Sequence, residues 1–120
     1  MKLSYPKHLI SVGILEGDSK DSTFKDVQVK LAELVNRHGF RRTTLVKRDY
    51  AFNVDRAHRH EYHVQLERRS TLSRLRNFLF TTALYDEDWV MWVDSDLAWY
   101  PPDIVELMMA PDKPMVVSVA

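Results

Sequence analysis

Short apolar, β-branched runs alternate with segments of helical period along these 120 residues, and that alternation constrains the fold more than any other feature. "HLISVGILE" at 8–16 suits a strand buried on both faces, and "GDSKDST" after it carries turn and cap chemistry. From Thr23 to His38, Phe24, Val27, Leu31, Leu34 and Val35 recur at helical spacing, with Gly39 as the C-terminal stop. "RRTTLVKRD" at 41–49 reads as a second strand, and residues 50–64 carry no period and read as a loop.

A long helix is expected over 65–85, with Leu72, Leu75, Leu79 and Ala83 along one face. A third strand follows at 89–95. Pro101 and Pro102 then open a helix completed by "DIVELMMA", and "PDKP" turns the chain into a last strand, "PMVVSVA". The order β-α-β-loop-α-β-α-β predicts an α/β fold, a mostly parallel sheet with helices on both faces and right-handed crossovers. At 14.1 kDa the whole of 1–120 is one domain's worth of chain. It stops inside an apolar strand, so the expectation is a C-terminally truncated half of a larger domain.

Seventeen basic and seventeen acidic residues cancel, so no global field draws the protein toward nucleic acid or an anionic membrane. The absence of cysteine rules out disulfides and thiolate metal sites and leaves the compartment open. No run approaches the roughly 18 apolar residues that span a bilayer, so a membrane anchor would lie outside this chain.

The chemistry is expected where "WVMWV" meets Asp94-Ser95-Asp96. On an extended strand two carboxylates at i and i+2 point to one side, about 7 Å apart, and repel unless a cation compensates. They fall at the carboxyl end of the third strand, the edge where open α/β sheets bind ligands. All-oxygen ligation points to manganese or magnesium, which hold a few carboxylates together with substrate phosphates. The plain alternative is a pair of acids that end a strand and face water.

Four arginines occupy the first half of the long helix: Arg68, Arg69, Arg74 and Arg76. With the helix antiparallel to the third strand, rises of about 1.5 and 3.3 Å per residue put Arg69 level with the aspartates. Arg76 sits about 10 Å lower but shares the inward face, and its side chain leans toward the helix N-terminus. It could brace Asp94 or contact a phosphate. Arg68 and Arg74 read as solvated.

Asp49 closes the second strand, where an acidic residue in dinucleotide folds accepts ribose hydroxyls. Glu16 and Asp18 follow the first strand, although the default role of "GDSKDST" is helix capping, with Thr23 and Asp26 as a capping box. His58, His60 and His63 cluster in "HRHEYH" without a zinc spacing. Trp92 reads as core, and Trp99 as a partly exposed residue that either packs beneath the Pro-Pro helix or offers a sugar platform.

An apolar strand ending in Asp-x-Asp, after a helix carrying Arg-Asn, resembles the nucleotide-sugar glycosyltransferases of the GT-A, Rossmann-like fold. "RRSTLSRLRNFLFTTAL" followed by "DWVMWVDSDLAWYPPDIVELMM" is similar, more narrowly, to the fungal mannan polymerase subunit family of α-1,6-mannosyltransferases, as are "LEGDSKDSTF" and "KRDY". The resemblance implies a metal-dependent enzyme on the lumenal side of the Golgi membrane that moves mannose from GDP-mannose to N-linked mannan with retention. Asp94 and Asp96 would form the manganese-diphosphate motif. Glu16, Asp18, Asp49, Arg69 and Arg76 would line the nucleotide side, and other mannosyltransferase subunits would be partners. No catalytic residue is assigned, because the acceptor half is expected beyond Ala120.

Two other readings stand beside it. One is a non-catalytic subunit that only binds partners in a mannosyltransferase complex. The other is a haloacid-dehalogenase-type phosphotransferase with Asp94 as nucleophile. In that group the motif closes the first strand and a small hydroxyl residue follows two positions later, whereas here it closes the third and Ala98 stands there.

Overall fold

A computed structural model describes residues 2–17, 20–49 and 61–117. A short 3-10 turn at Lys7–Leu9 leads into strand β1, Ser11–Glu16; helix α1, Thr23–His38, connects it to strand β2, Arg42–Lys47. Helix α2 runs Tyr62–Ala83, and helix α3, Ile104–Met109, follows the Pro-Pro step. The two strands are parallel, with Ser11 opposite Arg42 and Glu16 opposite Lys47.

The ends of α1 follow from local chemistry. Gly39 takes a left-handed conformation (φ 63°) that a side chain disfavours, and its N–H closes the helix on the Val35 carbonyl at 3.0 Å. At the other end the expected Thr23–Asp26 box is replaced by a neighbouring set. Asp21 accepts from both the backbone N–H and the hydroxyl of Thr23, while Ser22 donates its hydroxyl to Asp26 at 2.9 Å. Asp21 sits two residues before the N–H it serves, a local turn geometry that sequence spacing leaves open.

The two long helices lie on opposite faces of the sheet. The last residue of β2 and the one after it show this: the Lys47 ammonium lies 5.9 Å from the Phe24 ring of α1, and the Arg48 guanidinium 4.5 Å from the Phe78 ring of α2. α2 packs closely because β1 presents glycine to it. A methyl group on Gly13 would lie 3.0 Å from the Ala83 Cβ and 3.3 Å from Leu79. At the far end of β1, a methyl on Gly17 would come within 2.7 Å of the Arg48 carbonyl oxygen, so that crossing of backbones requires glycine.

The sheet stops at two strands among the described residues, which corrects the expectation of a larger one. Residues 89–95 join no ladder and end in a turn; of the expected last strand, 114–117 form no strand and 118–120 lie outside the described residues. "WVMWV" is expected as a buried strand of the sheet; instead Trp89, Val90, Met91, Trp92 and Val93 are 41–53% exposed. Trp92 is therefore not core, whereas Trp99 is exposed as expected. An apolar run predicts a strand only where neighbours supply the ladder and cover both faces, and strand preference is set by that context. Leu31, Val64 and Glu16 are the buried residues of the described chain. The radius of gyration, 16.1 Å, exceeds the roughly 13.6 Å of a compact domain of this length.

Candidate functional site

α2 acts as a ruler for the site. A side chain on Gly17 would meet Leu75, and Arg48 stacks on Phe78, so the carboxyl ends of β1 and β2 lie level with residues 75–78 of the helix. Arg76, inside that span, reaches Asp94: Nη2 to Oδ1 is 3.4 Å. Asp94 thus comes to the same edge as Glu16 and Asp49.

The two aspartates are not consecutive same-side residues of a paired strand. The Leu97 N–H donates to the Asp94 carbonyl at 3.2 Å, closing a turn whose inner residues are Ser95 and Asp96. Asp94 and Asp96 are therefore the first and third residues of an exposed turn. The carboxylates face solvent, with the Asp94 side chain 78% exposed. Among the described residues no three acidic or histidine groups converge on a common point. An ion held here would take two protein carboxylates, a hard-oxygen set open on its remaining sides, which fits manganese or magnesium shared with a phosphate-bearing ligand.

Arg76 rather than Arg69 meets the acidic turn. Arg69 lies seven residues back along α2, about 10 Å away along the axis, and forms no ion pair with either aspartate. Arg76 also lies 5.8 Å from the Trp92 ring, and both border an open hollow of about 320 Å³ with Ser73, Asn77 and Phe80. Arg68 and Arg74 are exposed.

Glu16, at the end of β1, is buried on the α1 face and lies 4.0 Å from the ammonium of its cross-strand neighbour Lys47. Asp49 is exposed two residues past β2. Asp18, His58 and His60 lie outside the described residues. His63 is exposed and pairs with Glu61 at 3.3 Å.

Sequence reasoning missed the other end of the sheet. Glu87 accepts from the Ser11 hydroxyl at 2.6 Å, the Arg42 guanidinium at 2.8 Å and the Tyr85 backbone N–H at 2.8 Å. Its carboxyl is held down to about 2 from a usual 4.5, chiefly by the Ser11 hydroxyl and then the Tyr85 N–H, with Arg42 adding a smaller effect. The sequence marks 86–88 only as a short turn, and folding alone brings the starts of both strands to Glu87.

Two parallel strands with a helix on either face, ending level with an acidic turn and an arginine, define a mixed α/β module. The chain belongs to the Anp1 family, whose profile matches residues 1–119. It is 30% identical over 122 residues to the mannan polymerase complex subunit MNN9 of Candida albicans, covering 96% of this chain and 33% of that protein. To the mannan polymerase II complex anp1 subunit of Schizosaccharomyces pombe it is 30% identical over 123 residues, covering 96% and 28%. The mannan polymerase II complex ANP1 subunit of Saccharomyces cerevisiae is 29% identical over 122 residues, with coverages of 96% and 24%. The chain thus spans about a quarter to a third of the length of these relatives. No solved structure matches it.

Proposed function

We propose that this chain is the donor-binding part of a metal-dependent GT-A mannosyltransferase that uses GDP-mannose to extend N-linked mannan. The observation that carries the reading is the solvent-facing Asp94-Ser95-Asp96 turn with Arg76 at 3.4 Å, in a chain similar to named mannan polymerase subunits. Asp94 and Asp96 would hold manganese or magnesium, with ligand oxygens completing the shell. When bound, the ion supplies positive charge against the departing diphosphate. Arg76 has the charge and reach to exchange its contact with Asp94 for a phosphate oxygen, and an exposed pair of this kind is weak enough to be exchanged. Glu16 and Asp49 sit at strand ends, an edge suited to a nucleoside; Asp18 is proposed for the same role from the sequence alone, and Arg69 lies farther along the helix of Arg76. The proposed setting is the Golgi lumen, in a complex with other mannosyltransferase subunits.

Calorimetry with GDP in the presence and absence of manganese tests this. Manganese-dependent binding that is lost in both Asp94→Ala and Asp96→Ala supports donor binding. Equal binding without the metal, or binding indifferent to both substitutions, overturns it. The relatives are named as complex subunits, which is also compatible with a second reading, a subunit that serves assembly without chemistry; absence of any GDP binding selects it.

A further inference from the structure

The segment that carries Asp94 and Asp96 is tied firmly at its ends and hardly at all between them. Among the described residues, 88–93 form no backbone hydrogen bond, and their side chains are exposed. Beyond the turn, the next firm point is Pro102, whose carbonyl accepts from the Ser4 N–H at 2.8 Å, while the Ser4 hydroxyl donates to Glu106 at 2.7 Å. Before the turn, the last firm point is Glu87.

Glu87 ties three pieces of chain with one carboxylate. Oε1 takes the first residue of β1 through Ser11 and the first residue of β2 through Arg42; Oε2 takes the backbone N–H of Tyr85, just past α2. The side chain is only 13% exposed. Its surroundings reinforce the tie: Arg42 stacks 4.0 Å over the Tyr85 ring, and Arg41 holds Asp86 at 2.7 Å. Charge-assisted hydrogen bonds of this length are among the stronger polar contacts a protein makes.

We infer that Glu87 is a positioning residue for the acidic turn, setting where the unladdered segment leaves the sheet and so where Asp94 meets Arg76. A paired strand would have its height set residue by residue along the ladder. An unpaired one inherits its height from its point of departure, and small displacements of ligating groups cost affinity steeply. The affinity consequence rests on the donor-binding reading above; the positional consequence does not.

Nuclear magnetic resonance of the ¹⁵N-labelled chain reads the position directly. Glu87→Ala is expected to move the amide signals of residues 94–97 and the Trp92 indole signal, well beyond the residues that touch Glu87. Glu87→Gln, whose single amide oxygen can still accept from the Ser11 hydroxyl while its NH2 cannot accept from the Tyr85 N–H, is expected to restore them in part. Changes confined to 11, 41–42 and 84–88, or no difference between the two variants, would overturn the inference. Should Glu87→Ala fail to fold, Ser11→Ala removes one tie and is read the same way.

Calorimetry adds the functional arm: manganese-dependent GDP affinity is expected to fall about 10-fold in Glu87→Ala, the size typical of residues that orient metal ligands. Unchanged affinity in a variant whose 94–97 signals have moved would also count against it. If the unsubstituted chain binds no GDP with manganese, the donor reading fails and the resonance arm alone decides the role of Glu87.

Discussion

Arg76 and Asp94 approach to 3.4 Å with side chains 54% and 78% exposed, which separates what the pair does for stability from what it does for binding. In water such a contact contributes little, no more than about 1 kcal/mol. Arg76→Ala is therefore expected to leave the thermal midpoint almost unchanged. If Arg76 meets a phosphate, the same substitution weakens manganese-dependent GDP binding about 10- to 100-fold, in line with the roughly 1.5–3 kcal/mol of a hydrogen bond to a charged group. Parallel melting and calorimetry curves check both halves.

Glu87 makes stability depend on acid. Its carboxyl titrates near 2 in the folded chain and near 4.5 when free, so folding depresses the value. The associated stabilisation is complete above about pH 4.5 and is lost as pH falls toward 2. Between those limits the unfolding midpoint of the unsubstituted chain is expected to drop more steeply than that of Glu87→Gln, which has no carboxyl there to protonate. Identical slopes would show that the contacts of Glu87 do not persist in solution.

Gly17 lies where β1 passes the end of β2. A methyl group there would stand 2.7 Å from the Arg48 carbonyl oxygen, a backbone atom that cannot swing aside. Gly17→Ala is expected to cost about 1–3 kcal/mol, measured as a lower urea midpoint at unchanged slope.

Burial predicts the reverse of hydrophobicity for two other positions. Leu31 on α1 is 8% exposed, and Leu31→Ala is expected to cost about 2 kcal/mol or more. Val93, in the most apolar stretch of the chain, is 53% exposed, and Val93→Ser is expected to change stability by no more than about 0.5 kcal/mol. Comparable losses in the two variants would mean that 89–93 is covered in solution.

The helices were the legible part. α1 begins and ends at the residues its periodicity names, because Gly39 ends it by local geometry alone, and α2 departs from expectation by only a few residues at each end. Strands β1 and β2 were legible to within a few residues, since both are joined by a helix that brings them side by side. The acidic motif and the reach of Arg76 could also be read, the first from composition and the second from the rise of a helix.

What the sequence determined by itself is therefore what depends on neighbours a few residues away: helix period, caps, turns, and two carboxylates separated by one serine. Three things were decided only by the tertiary structure. Residues 89–93 stay exposed, because apolar side chains make a strand only when a ladder and two covering faces are present. Asp94 meets Arg76 rather than Arg69, because an unpaired segment does not climb in step with the helix beside it. Glu87 becomes the tie between β1, β2 and the end of α2, because its partners are 45 and 76 residues away and only folding brings them to one carboxylate.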